Sequence, residues 1–192
     1  MDPTIITLLS ILIVFVIIFS PITYSLIYRI FRHGKLFFRK ASSEEEKITV
    51  VQEIQKSIDS LSMAKKGATI VIDLKNETNE YVTDSELLDS RLTSNLLINI
   101  FEGSKTPLHD GAVIIKENRI DRASAYITNL SKQSVPKRFG TRHRSALGLS
   151  EVTKAIIIVL SEETGTIRIF CKSKWEDVNQ RDLFGRIIDL WG

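Results

Sequence analysis

From Pro3 to Tyr28 the chain carries no charged side chain, and Ile5 to Phe19 is almost solid Ile, Leu, Val and Phe. As a helix this stretch reaches about 39 Å, against a hydrocarbon core about 30 Å thick. Residues 1–28 are therefore expected to form one transmembrane helix, with Pro21 tolerated as a kink. A cleaved signal peptide fits less well, because no basic region precedes the run, the run is too long, and no small-residue cleavage site follows it. Arg29, Arg32, Lys35, Arg39 and Lys40 lie just after the run, with only Asp2 before it. The positive-inside bias then predicts a single-pass protein of the cell membrane whose remaining residues lie in the cytoplasm.

Those five cations against Asp2 give residues 1–40 a charge of +4, so residues 41–192, with 21 basic and 22 acidic side chains, stand at −1. A nearly neutral body lacks the basic face with which a protein neutralises nucleic-acid phosphates, so no nucleic-acid partner is expected. Apolar residues at 43% and charged residues at 26% are normal for a packed core and exclude wholesale disorder and a polytopic membrane protein. At 192 residues there is room for one domain and an appendage. Cys171 is the sole cysteine, so no internal disulfide forms; it reads as a small buried hydrophobe in a reducing compartment.

Residues 29–66 read as a juxtamembrane basic segment followed by an amphipathic linker helix. Ser43 and Glu46 form a capping-box pattern, and Ile48, Val51, Ile54, Ile58 and Leu61 recur every three or four residues as far as a stop near Gly67. The apolar stripe either packs on the following domain or pairs with a second copy as a short coiled coil. From Gly67 the pattern becomes a mixed α/β one, expected as a single domain over 67–192. Ala68–Leu74 reads as a buried strand, 75–83 as a polar loop, and Ser85–Phe101 as a helix with Leu88, Leu92, Leu96 and Phe101 along one side. Two hairpins follow, Ala112–Ile115 with Arg119–Ile127 about a Glu117-Asn118 turn, and Ala155–Leu160 with Thr166–Cys171 about residues 162–165.

Three polar strings sit at the ends of apolar strands, where a mixed sheet presents its sites. Leu108-His109-Asp110-Gly111-Ala112 leads into a strand; taken alone, Asp-Gly is a turn. Gly140-Thr141-Arg142-His143-Arg144-Ser145 brackets hydroxyl, guanidinium and imidazole donors and, if a helix begins near Ser145, gains its positive end; it suits a phosphate chain or is a solvated basic loop. It lacks the Gly-Lys-Ser/Thr ending of a Walker A loop. Ser161-Glu162-Glu163-Thr164-Gly165 is a hairpin turn whose carboxylates could also meet a divalent cation, with Glu163 joined by His109 or Asp110 around a nucleotide. A zinc site is not expected, since there is one thiol and no HExxH spacing.

Taken together, the strings closely resemble the diadenylate cyclase (DAC) domain family, whose hallmarks match Asp110-Gly111-Ala112 and Arg142-His143-Arg144. The likeness extends through Asn99-Ile100-Phe101, Thr106-Pro107-Leu108-His109, Gly140-Thr141, Gly148-Leu149-Ser150-Glu151 and Ser161 to Gly165, and covers Gly67 to Lys172. The single apolar span is similar to the one-helix membrane form of these enzymes. Three departures stand out: Ile127-Thr128-Asn129-Leu130-Ser131 where the family usually has Leu-Pro-Leu-Ser, Lys154 where many members have Asp, and Ser145 for an Ala.

The resemblance implies a mixed β-sheet flanked by helices, and an enzyme that condenses two ATP into the second messenger cyclic di-AMP with loss of two pyrophosphates. Each ribose 3'-hydroxyl attacks the other α-phosphate, so two domains face each other as a homodimer. It further implies Asp110 on the ribose hydroxyl, Gly111 allowing close approach, and Gly140, Thr141, Arg142, His143 and Arg144 around the triphosphate. His109 and Glu163 are implied for Mn2+ or Mg2+ with Ser161 nearby, and Leu108 and Ile127 for adenine. A membrane or cytosolic regulator is a further implied partner. Two other readings stay open at this level: a tethered nucleotide sensor without turnover, and a phosphate-binding module built on the Arg-His-Arg loop.

Overall fold

A strand buried on both faces must be apolar throughout, and Ala68–Ile72 is: all five residues of this first strand, β1, are buried. The computed structural model around it describes residues 2–5, 7, 8, 10, 15–17, 19–21, 23–25, 44–103, 107–137 and 139–192. The chain divides into two compact units, Met1–Ala41 and Ser42–Gly192. In the first, the described residues from 3 to 25 are helical, and Leu8, Phe15, Val16, Ile17 and Tyr24 are exposed. Among the described residues no helix is long and apolar enough to cross a membrane. The expected span lies partly, and the basic segment at 29–40 wholly, outside the described residues, as does Ser43 of the capping box.

In the second unit α1 (Glu44–Met63) precedes β1 and is followed, in chain order, by β2 (Val82–Thr83), β3 (Glu86–Arg91), α2 (Ser94–Glu102), β4 (Ala112–Lys116) and β5 (Arg119–Ile127). Next come α3 (Thr141–Val152), β6 (Ile156–Leu160), β7 (Ile167–Cys171), β8 (Lys174–Val178) and α4 (Leu183–Trp191). The strands form one sheet in the order β2-β5-β4-β1-β6-β7-β8, with β3 also on β5. β1 and β4 are parallel, and the remaining pairs antiparallel. The result is the mixed sheet flanked by helices that the sequence suggests.

Side chains alternate across the sheet and divide into two cores. Ile70, Val113, Ile115, Ile158 and Ile169 face α1, α2 and α4. Val71, Ile114, Ile157, Val159 and Phe170 face α3, where Ala146, Leu147 and Leu149 meet them. The stripe of α1 goes to the sheet: Val51, Ile54, Ile58 and Leu61 are fully buried in the first core, while Ile48 is exposed. Lys66 N donates to the Leu61 carbonyl with Lys65 at φ 53°, a Schellman closure that ties the end of α1 directly to the start of β1.

The helix expected over 85–101 is a correction. Its first third is β3, and the helix begins only after Thr93, whose side chain accepts from Leu96 N. Edge pairing with β5 satisfies the backbone here, and Asp84 and Asp89 take positive φ, which interrupts any helix. Leu87, 69% exposed, belongs to that edge, whereas Leu88 and Leu92 still reach the core, so leucines at helical spacing mimicked a continuous helix. The polar loop at 75–83 holds a 3-10 turn, Thr78–Tyr81, and β2. In the β4–β5 turn Glu117 and Asn118 both have positive φ, as a tight two-residue hairpin requires.

Candidate functional site

Strand register brings the polar strings together. Ile70 is level with Val113 in the parallel pair, and continuing that register back off the strands sets Gly67 level with Asp110. Ala68 pairs with Leu160 on the other side, so the next position outward sets Gly67 beside Ser161. Asp110, Gly67 and Ser161 thus lie just off the ends of three neighbouring strands, β4, β1 and β6, at a single end of the sheet.

Asp110 follows a 3-10 turn, Pro107–His109, and is exposed; its N–H donates to the Pro107 carbonyl at 3.2 Å. Gly111 has φ +129°, and a Cβ on it would stand 2.7 Å from Ser124 C and 2.9 Å from Ala125 N and O. Only glycine fits there. Ser124 holds the turn from the other side, its hydroxyl placed 2.9 Å from the Pro107 carbonyl and 3.0 Å from that of Asp110.

The basic string forms the first turn of α3, which starts earlier than Ser145, with Gly140 as N-cap and no side chain capping it. Glycine brings no capping side chain of its own, and Gly140 and Thr141 are exposed at the positive end of the helix. Thr141 and Arg144 are exposed, and Arg142 is half-buried. Arg142 Nη1 lies 3.6 Å from Glu162 Oε2 and occupies the space beside Gly67, where an added Cβ would be 2.5 Å away. Arg142 thus reaches from α3 to Gly67 and Glu162, at the end of the sheet where Asp110 precedes β4. His143 turns inward: it is 7% exposed, stacks on Phe139 at 4.9 Å, and its Nε2 lies 2.8 Å from Arg168 Nη1.

Ser161 anchors the β6–β7 turn, its N–H donating to Thr166 and its carbonyl accepting from Gly165 N at 2.8 Å; Glu162 and Glu163 project from it, exposed. His109 sits half-buried immediately before Asp110, so His109 and Glu163 belong to the same end of the sheet. Among the described residues no three of His, Cys, Asp and Glu converge on one point. This donor set fits a hard cation completed by phosphate oxygens and water rather than an all-protein cage. Leu108 and Ile127 are not brought together: Leu108 packs against the α1 core and Ile127 lies in the α3 core.

The 128–131 departure is absorbed by packing. Asn129 Nδ2 donates to the Gly148 carbonyl at 2.7 Å, and a Cβ on Gly148 would stand 2.2 Å from Asn129 O, so this segment crosses directly over α3. Lys154 contributes a backbone N–H, which donates to Glu77 at 2.7 Å, and Ser145 Oγ donates to the Arg142 carbonyl at 3.0 Å. Gly67, Ser124, Glu162 and Arg168 were not marked as site residues by sequence reasoning. Glu162 lies inside the Ser161 to Gly165 string and Gly67 at the stop of the linker helix; Ser124 and Arg168 sit inside strands and carry no local signal.

A family model described as DisA bacterial checkpoint controller nucleotide-binding (DAC) matches residues 55–175. A diadenylate cyclase from Listeria monocytogenes is 40% identical over 152 residues, 78% of this chain and 55% of the relative. The cyclic di-AMP synthase CdaA of Bacillus subtilis is 37% identical over 80% of this chain and 56% of its own length. The chain thus spans little more than half of those two relatives. A diadenylate cyclase from Mycoplasma genitalium is 34% identical over 70% of this chain and 67% of its own. The crystal structure of DacA from Staphylococcus aureus superposes with a TM-score of 0.70 at 31% identity, covering 78% of this chain and 99% of that one. Sequence and fold agree, and this chain belongs to the DAC family of nucleotide-binding domains.

Proposed function

We propose that this protein is a diadenylate cyclase, joining two ATP into cyclic di-AMP with release of two pyrophosphates. The observation that carries the reading is the meeting of Asp110, Gly67, Ser161 and the Arg142 guanidinium at one end of the sheet, an acid that can address a ribose hydroxyl beside a cation that can hold a phosphate chain. Relatives named for this activity support it.

The exposed carboxylate of Asp110 orients the ribose 3'-hydroxyl and accepts its proton as the oxygen attacks the α-phosphate of an ATP on a facing domain. The new O–P bond forms as the bond to pyrophosphate breaks, in line. Gly111 lets the nucleotide approach the backbone. Gly140, Thr141, Arg142 and the leading N–H groups of α3 hold the phosphates, with Arg144 at the rim, and His143 braces this turn from below. Adenine lies against Ile127, or against Leu108 on the other side of the sheet. His109 and Glu163, with Ser161 nearby, are the residues that would hold Mg2+ or Mn2+, which supplies charge neutralisation at the phosphates. Most of the rate comes from positioning and electrostatics rather than covalent chemistry.

One domain carries one such site, so two must face each other as a homodimer that opens to release product. Residues 1–28 anchor the chain in the cell membrane as a single span, 29–66 form the basic segment and linker helix, and 67–192 form the cytoplasmic catalytic domain, with α1 walling its core. Incubating the purified full chain with ATP and Mn2+ or Mg2+ should give a product with the mass of cyclic di-AMP. ATP binding with no such product would overturn the assignment in favour of a nucleotide sensor.

A further inference from the structure

Arg168, the second residue of β7, is 4% exposed. A buried guanidinium is tolerated only when its donors are met, and an apolar side chain would fill the same volume without desolvating a charge. Its partners suggest what the cation is kept for. Nε donates to Asp177 Oδ1 on β8 at 2.5 Å, and Nη1 lies 2.8 Å from His143 Nε2. The guanidinium carbon also sits 5.0 Å from the centre of the Phe139 ring, which stacks on His143. Guanidinium has no acceptor, so Nε2 of His143 must accept, and the proton of the neutral ring is on Nδ1.

Phe139 and His143 flank Gly140, Thr141 and Arg142. One planar fork therefore grips the phosphate-binding turn from both ends and is itself held to the sheet by Asp177. We propose that Arg168 is a positioning residue for the reaction assigned above, fixing the 140–142 backbone and Arg142 in phosphate-binding geometry before ATP arrives. The inference rests on that assignment for the identity of the ligand. Lysine cannot substitute, because one ammonium cannot span Asp177 and His143 while lying flat on Phe139.

The test uses the purified full chain carrying Arg168→Lys, His143→Asn, both together, or Arg186→Lys, a control that alters a half-exposed ion pair between Arg186 of α4 and Glu176 of β8. Thermal melting, ATP affinity and the kinetics of product formation are measured for each. Arg168→Lys should keep its melting temperature within about 3 °C of the parent yet raise KM for ATP about tenfold, with kcat changing much less. His143→Asn should match it, the double variant should be no worse than either single one, and Arg186→Lys should leave KM unaltered. Parental ATP affinity in Arg168→Lys would show that the residue only fills the core, and losses that multiply in the double variant would show that it does not act through His143; either result overturns the clamp. If the parent binds ATP without making product, the cyclase assignment fails while ATP affinity in the same variants still decides the clamp. An Arg168→Met variant, measured well below its melting temperature, settles the matter if Arg168→Lys folds poorly: weakened ATP binding supports the clamp and parental affinity overturns it.

Discussion

The Arg142 guanidinium occupies the space that a side chain on Gly67 would fill, with Nη1 only 2.5 Å from where a Cβ would stand. Gly67 is the last residue between α1 and β1, so the linker helix ends on the seat of the arginine. Gly67→Ala meets the mobile end of a side chain first, with Glu162 Cβ at 3.1 Å next. Stability should change by about 1 kcal/mol or less, since φ at Gly67 is ordinary. Displacement of Arg142 should nevertheless raise KM for ATP about tenfold, which steady-state kinetics against a melting curve will separate.

Gly111 predicts the opposite balance. Its φ of +129° and the 2.7 Å approach to backbone at Ser124 leave no room to give. Gly111→Ala should cost about 2 to 4 kcal/mol of stability, read as a lower denaturant midpoint with unchanged slope.

Asp110→Asn keeps size and removes charge on an exposed residue. Product formation should fall at least about a hundredfold while the melting temperature stays within a few degrees, and ATP should still bind. Undiminished synthesis would remove Asp110 from the role assigned to it.

Ile58 ties the linker helix to the sheet. It is fully buried in the core that holds Ile70 and Val113, so Ile58→Ala should destabilise the protein by about 2 to 4 kcal/mol, measured by urea unfolding. A stripe used for pairing between copies would instead show its loss in oligomeric state.

Glu53 gives a pH dependence. Its carboxylate accepts from Lys56 Nζ at 2.8 Å and from Ser94 N, at the start of α2, at 2.6 Å, and these bonds hold its pKa at about 2. A pKa depressed in the folded state stabilises fully above the unfolded value near 4.5 and loses that stabilisation as pH falls toward 2. Glu53→Gln should cost about 1 kcal/mol at neutral pH and flatten the acid limb of the stability curve, as titration of the unfolding midpoint from pH 6 downward will show.

Much of this fold is written locally. Apolar runs such as Ala68–Ile72 and Ile156–Leu160 can only be buried strands, the α1 stripe needs one buried face, and Glu117-Asn118 suits a tight turn. Asp110-Gly111 and Gly140 to Arg144 were visible because their chemistry is carried by short contiguous strings. What the strings do not contain is their distance from one another. That Asp110, Gly67 and Ser161 lie at one end of the sheet depends on which strands pair and in which register, a contest among long-range contacts that local pattern does not encode. The same contest turned residues 86–91 into an edge strand despite helical leucine spacing, and gave His143, one residue from Arg142, a buried partner on β7. Residue identity decided the chemistry this protein can offer; packing of two cores on one sheet decided where those groups meet.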